Sequence, residues 1–112
     1  MTQFTNTKIA DVLEEAAEHI RAGWTQYRPF DVVDERLYAC ANGAMWLEAG
    51  LEIGPSEWEP ANLRLWETAC TKLAEHVGQD VAGWNDSIGQ TQDRVADTML
   101  RLAKELCNNG ST

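Results

Sequence analysis

Apolar residues at Ile9, Val12, Leu13, Ala16, Ala17 and Ile20 fall at the i, i+3, i+4, i+7 spacing of one helical face. The spacing predicts a first helix, with Asn6 or Thr7 placed to cap its start and Gly23 to end it. The period then breaks. WTQYRPFDVVDERL (24–37) holds Pro29, aromatic residues and a pair of valines, a composition that predicts an extended loop or a short β-hairpin with its tip near Asp34–Glu35. Helical spacing resumes in YACANGAMWLEA (38–49), read as a second helix stopped by Gly50. Its small residues Ala39, Ala41, Gly43 and Ala44 allow a neighbouring backbone to come close, so this helix is expected to be the central and most buried one.

Beyond the turn chemistry of GLEIGPSEWEP (50–60), Pro60 suits the first position of a third helix, and Leu63, Trp66, Ala69, Cys70, Leu73, Ala74 and Val77 keep the period until Gly78. Thr91 is placed to cap a fourth helix carrying Val95, Ala96, Met99, Leu102, Ala103 and Leu106. The expected fold is therefore mostly α: one domain over residues 1–112, four main helices, and an irregular or short β-hairpin insertion between the first two. The ends, 1–6 and 108–112, are expected to fray. AEHIRAGW (17–24) and AEHVGQDVAGW (74–84) echo each other, which reads either as a duplicated helix pair or as chance similarity of two helix ends.

Composition sharpens this picture. At 112 residues and 44% hydrophobic, the chain has material for one core, and five Trp supply large rings to bury in it. No apolar run approaches the roughly 20 residues that span a bilayer, and the N-terminal stretch lacks the basic-then-apolar layout of a signal peptide. The odd set Cys40, Cys70 and Cys107 argues against a disulfide framework. A cytoplasmic protein with reduced thiols is expected. The formal net charge is −9, and between Asp31 and Glu59 seven acids stand against the single base Arg36. Binding to nucleic acid or to anionic membranes rests on Lys and Arg, so neither is expected.

Few residues suggest chemistry. His19, His76, Cys40 and Cys70 form no tight C-x-x-C or H-x-x-x-H pair, so no metal and no cofactor is expected. Each His lies near a helix C-terminus, where an imidazole suits the last carbonyls. Cys40 sits near the start of the second helix, where the dipole would lower a thiol pKa, but a nucleophile also needs a base, and neither His is near it in sequence. All three cysteines are read as small core residues. No phosphate-cradling glycine loop, nucleophile elbow or paired carboxylates stand out, and no catalysis is expected.

The densest stretch is VAGWNDSIGQTQDRV (81–95). Read structurally, Trp84 pins a turn, Asn85 and Asp86 bond their own downstream backbone, and Gly89 supplies a positive φ. Read functionally, the same corner contacts a ligand or partner.

The order H-I-x-x-G-W-T-Q (19–26), Y-A-C-A-N-G-A (38–44) and A-G-W-N-D-x-x-G-Q-T (82–91) resembles a small uncharacterised family of actinobacterial and actinophage proteins, marked by G-W-x-Q, C-A-x-G-A and W-N-D elements. The resemblance runs from about residue 9 to about residue 106. It falls on Gly23, Trp24 and Gln26, on Cys40, Ala41, Gly43 and Ala44, and on Trp84, Asn85, Asp86, Gly89 and Thr91. Many relatives carry leucine in place of Asn42 and cysteine in place of Thr25. The resemblance implies a shared fold and a phage origin; the family has no agreed function, so it implies no activity.

The functional expectation is a small cytoplasmic protein-binding or regulatory protein, phage-encoded, acting on a host protein or on a second copy of itself as a homodimer. Trp24, Gln26, Cys40, Trp84, Asn85 and Asp86 are its candidate ligand- or partner-binding residues. Two other readings stay open. One is an acidic nucleic-acid mimic that uses the carboxylates of Asp31–Glu59 to inhibit a DNA-binding host protein. The other is a small-ligand or enzymatic pocket around Trp24, Cys40 and Asn85.

Overall fold

The first apolar stripe is buried as a unit, and it organises everything else. A computed structural model describes residues 4–53 and 57–108. In it α1 (Asn6–Ala22) buries Ile9, Ala10, Val12, Leu13, Ala16, Ala17 and Ile20 on one side. Full burial of each large aliphatic chain among them contributes about 1.5–3 kcal/mol. α1 lies along α5 (Gln92–Asn108), whose Val95, Ala96, Met99, Leu102, Ala103 and Leu106 form the matching stripe. Two polar contacts lock the register at one end: Arg21 pairs with Asp97, and the Gln92 side chain donates to the carbonyls of Ile20 (2.8 Å) and Arg21 (3.3 Å). The Gln92 bonds satisfy carbonyls that the last turn of α1 leaves without a helical partner.

The hairpin lies where the broken period placed it. β1 (Phe30–Val33) and β2 (Arg36–Ala39) pair antiparallel, with Phe30 opposite Ala39 and Val33 opposite Arg36. Asp34 (φ 52°) and Glu35 (φ 66°) make the two-residue turn, in the left-handed conformation that matches strand twist. Behind β2, Ala39 N–H donates to Gly23 O (3.0 Å) and Thr25 N–H donates to Ala39 O (3.2 Å), tying the hairpin to the exit of α1.

The second helix is shorter than its composition suggested. α2 runs over Ala41–Glu48, because Tyr38 and Ala39 are drawn into strand pairing before the helix begins. It is the most buried helix, as expected, with no exposed residue, but the main seam of the core is the one between α1 and α5, and α2 packs against α1, α3 and α4 beside it. The small residues of α2 do admit a close neighbour, but that neighbour is a loop. A Cβ on Gly43 would overlap the Pro29 carbonyl oxygen and lie 3.0 Å from the Phe30 ring.

α3 (Pro60–Val77) starts at the proline as expected and ends at Gly78 in the left-handed region (φ 80°). Trp66 on this helix and Trp58 before it meet Trp46 of α2 edge-on, at centroid distances of 5.0 and 4.9 Å. Only part of the 50–60 turn, residues 50–53 and 57–60, lies within the described residues. An additional one-turn helix, α4 (Val81–Asn85), stands where a loop was read; Asp80 caps it by accepting from Gly83 N–H (2.8 Å). The sequence echo therefore folds two ways, since Gly23–Trp24 leave α1 extended whereas Gly83–Trp84 are helical. Thr91 caps α5 through Arg94 N–H (3.1 Å), as expected.

The N-terminal cap of α1 is Thr5, accepting from Lys8 N–H (3.1 Å), rather than Asn6 or Thr7. Of the ends expected to fray, residues 1–3 and 109–112 lie outside the described residues. Inside them, Phe4 packs on the core, Asn6 opens α1 and Asn108 closes α5.

Candidate functional site

Asn85 is completely buried, which for a primary amide demands that its polar atoms be satisfied internally. They are. Its Oδ1 accepts from the Trp24 indole N–H (2.9 Å) and from Ala41 N–H (2.9 Å). Its Nδ2 donates to Thr25 O (3.1 Å) and to Asp86 Oδ1 (2.9 Å). Its own carbonyl accepts from the Gln26 side chain (3.1 Å). One residue thus joins three chain segments: the exit of α1, the start of α2, and α4.

The expectation that Asn85 and Asp86 serve their own downstream backbone is therefore corrected: their partners lie mostly in 24–27 and at residue 41. The downstream turn closes by other means. Gln90 Nε2 donates to Trp84 O (2.8 Å), Ser87 Oγ donates to Gly83 O (2.9 Å), and Gly89 has the predicted positive φ of 83°.

Asp86 reaches outward from this knot. Its Oδ1 also accepts from Tyr27 N–H (2.8 Å), and Tyr27 has a φ of 70°. A left-handed aromatic residue is strained, at a cost of about 1–3 kcal/mol, and persists only where surrounding contacts hold it. The Asp86 bond is one such contact. Tyr27, Pro29, Cys40, Asn42, Ala82 and Asp86, with Arg28 at the edge, line a cavity of about 210 Å³. Two neighbouring hollows, of about 390 and 280 Å³, also reach Asn42. The Asn42 Oδ1 accepts from the Trp66 indole (2.9 Å) and from the Cys70 thiol (3.3 Å).

Cys40 does cap α2, its Sγ accepting from Gly43 N–H (3.3 Å). Yet the helix start does not activate it. Burial pushes the thiol up from its ordinary value, against the Gly43 and Asn42 N–H groups, and the Asp86 charge adds to the rise. Burial also pushes Cys70 up to about 12. Both sulfurs are thus held as neutral thiols, unsuited to nucleophilic attack. Cys107, read as a core residue, is instead exposed on α5. The histidines were expected at helix-end carbonyls; His19 instead faces Glu48 (3.7 Å) and His76 faces Glu105 (3.4 Å), each on a neighbouring helix. Among the described residues, no three His, Cys, Asp or Glu side chains cluster closely enough to hold a metal ion.

The six residues singled out from sequence do converge, in two layers. Trp24, Gln26, Trp84 and Asn85 are spent inside, bonding or packing the corner together. Cys40 and Asp86 border the open cavity. Sequence reasoning passed over Tyr27, Arg28, Pro29, Asn42 and Ala82, which complete the wall. The loop WTQYRP offered no period to say which way Tyr27 would turn.

Fold and site together define a small helical domain with a hairpin insert, built around a buried Asn and bearing a small cavity of mainly apolar lining with one carboxylate on its wall. The chain belongs to the family of unknown function DUF6197, whose pattern matches residues 5–105. No curated protein and no solved structure matches it. No described helix is long and apolar enough to cross a membrane.

Proposed function

We infer that the protein is a non-catalytic binding module that grips a partner protein through the hairpin and the cavity beside it. The observation that carries this reading is the size and setting of the cavity. At about 210 Å³ it has room for one inserted side chain. The chain also exposes large apolar groups here: Tyr27 on the cavity wall is 75% exposed, and β1, which follows Pro29, carries the exposed Val32 (66%) and Val33 on its two faces. A side-chain pocket with an exposed aromatic on its wall, next to a hairpin with exposed valines, is the arrangement of an anchor site in a protein interface. The neutral thiols and the internally satisfied Asn85 weigh against the enzymatic reading.

The partner in this reading is a protein of the cell in which the chain acts, a host protein if the gene is phage-borne, with a second copy of the chain as the other occupant. Nucleic-acid mimicry gains less support. Asp31 faces Arg28 (3.8 Å) and Arg36 stands beside the turn, which interrupts a phosphate-like row of carboxylates.

The test pairs sedimentation of the purified protein with affinity capture from cells, using wild type and a Val32→Asp, Val33→Asp double variant. Both valines are exposed, so the variant should melt within about 0.5 kcal/mol per site of wild type. It should nevertheless lose its partner, whether that is a captured protein or a second copy. Capture undiminished in the variant would remove the hairpin from the interface.

A further inference from the structure

The cavity beside the hairpin has a chemical bias that its size alone does not set. An ionised carboxylate has about four acceptor positions on two oxygens. In Asp86, Oδ1 accepts from Tyr27 N–H (2.8 Å) and Asn85 Nδ2 (2.9 Å), while Oδ2 accepts from no protein donor among the described residues. This half-used carboxylate is fixed at the cavity wall by two bonds, so it is positioned before anything binds. Arg28, the one base at the cavity among the described residues, faces Asp31 on β1 (3.8 Å), and those two charges offset each other locally. The neighbouring hollow that shares Asn42 and Ala82 adds Asp80 and Glu67, and the whole chain carries −9. Tyr27, Pro29 and Ala82 give the cavity walls on which an aliphatic stem can lie.

We propose that this cavity receives one basic side chain, arginine or lysine, from a partner protein, with its cationic head on Asp86 and its methylene stem against Tyr27, Pro29 and Ala82. The proposal rests on the binding-module reading and names the chemistry of its anchor. Asp86 then has two jobs on one carboxylate: Oδ1 holds the strained Tyr27 in place, and Oδ2 meets the incoming cation. The surrounding negative charge raises the encounter rate of a basic segment and makes binding sensitive to salt.

The experiment is a backbone-amide NMR titration of the full chain with three single-residue probes: N-acetyl-arginine methylamide, its neutral citrulline isostere, and the apolar norleucine analogue. Arginine should shift the amides of Tyr27, Asn42, Ala82 and Asp86 saturably. Citrulline should bind roughly fivefold or more weakly, as expected when a charge-assisted bond becomes a neutral one. In Asp86→Asn the arginine advantage should vanish, while raising salt in wild type should reduce it. The wild-type comparison needs no variant, so it decides the matter even if Asp86→Asn fails to fold. Equal shifts from norleucine and arginine would overturn the cationic anchor and leave an apolar anchor within the same binding module. No shifts at these amides from any probe would overturn the cavity as an anchor site, with the hairpin interface still judged by the valine variant.

Discussion

Two ends of this small domain are held together by different physics. Along α1 and α5, apolar side chains meet in a continuous stripe, and almost any volume-matched hydrophobic residue satisfies such a seam. At the 24–27, 41 and 85–86 corner, the contact is polar, buried and specific, and one amide closes it. The first end is tolerant of identity and sensitive to volume. The second is tolerant of nothing that lacks an amide, because each of its buried groups was matched to one donor or acceptor.

The largest expected effect tests that contrast directly. Asn85→Leu keeps approximate volume but strands the Trp24 and Ala41 N–H groups and the Thr25 carbonyl. At about 1–3 kcal/mol for each group left unsatisfied, partly recovered by water, a loss of about 3–5 kcal/mol is expected in denaturant melts. Leu13→Met, an isosteric change on the apolar seam, should cost less than about 1.5 kcal/mol. If both substitutions cost the same, the distinction between the two ends fails.

A middle-sized effect is expected at Gly43. Its missing Cβ is what lets the Pro29 carbonyl reach the Cys40 N–H at 3.0 Å. Gly43→Ala should cost about 1–3 kcal/mol through overlap with backbone that has little room to shift. A thermal midpoint unchanged by this substitution would mean that the loop moves aside freely.

The smallest effect on stability, and the sharpest on function, is expected at Asp86. Asp86→Ala removes an acceptor for the exposed Tyr27 N–H and for the buried Asn85 Nδ2, which keeps its bond to Thr25 O, at about 0.5–2 kcal/mol. Partner capture should fall by far more than the unfolded fraction accounts for. A loss of capture that merely tracks the melting curve would assign Asp86 to the corner and not to the interface.

The apolar period alone determined α1, α3 and α5, and local residue chemistry determined the start of α3 at Pro60 and the caps at Gly78 and Thr91. The hairpin and its tip were legible because broken periodicity and paired valines are local signals. Those features depend on neighbours within a few residues, which is why a one-dimensional reading reaches them. The start of α2 was not legible, because Tyr38 and Ala39 answer to strand partners and to Gly23 rather than to their own small-residue pattern. The motif residues at 24, 26, 40 and 84–86 were visible as a group, yet their division into inner knot and outer wall was not. That division belongs to tertiary structure: Asn85 meets its distant partners 44 to 61 residues upstream, and neither its burial nor the fixing of Asp86 Oδ1 by Tyr27 exists until those segments close around it. Periodicity records which face of an element is apolar, whereas directional hydrogen bonds between distant segments leave no period to read.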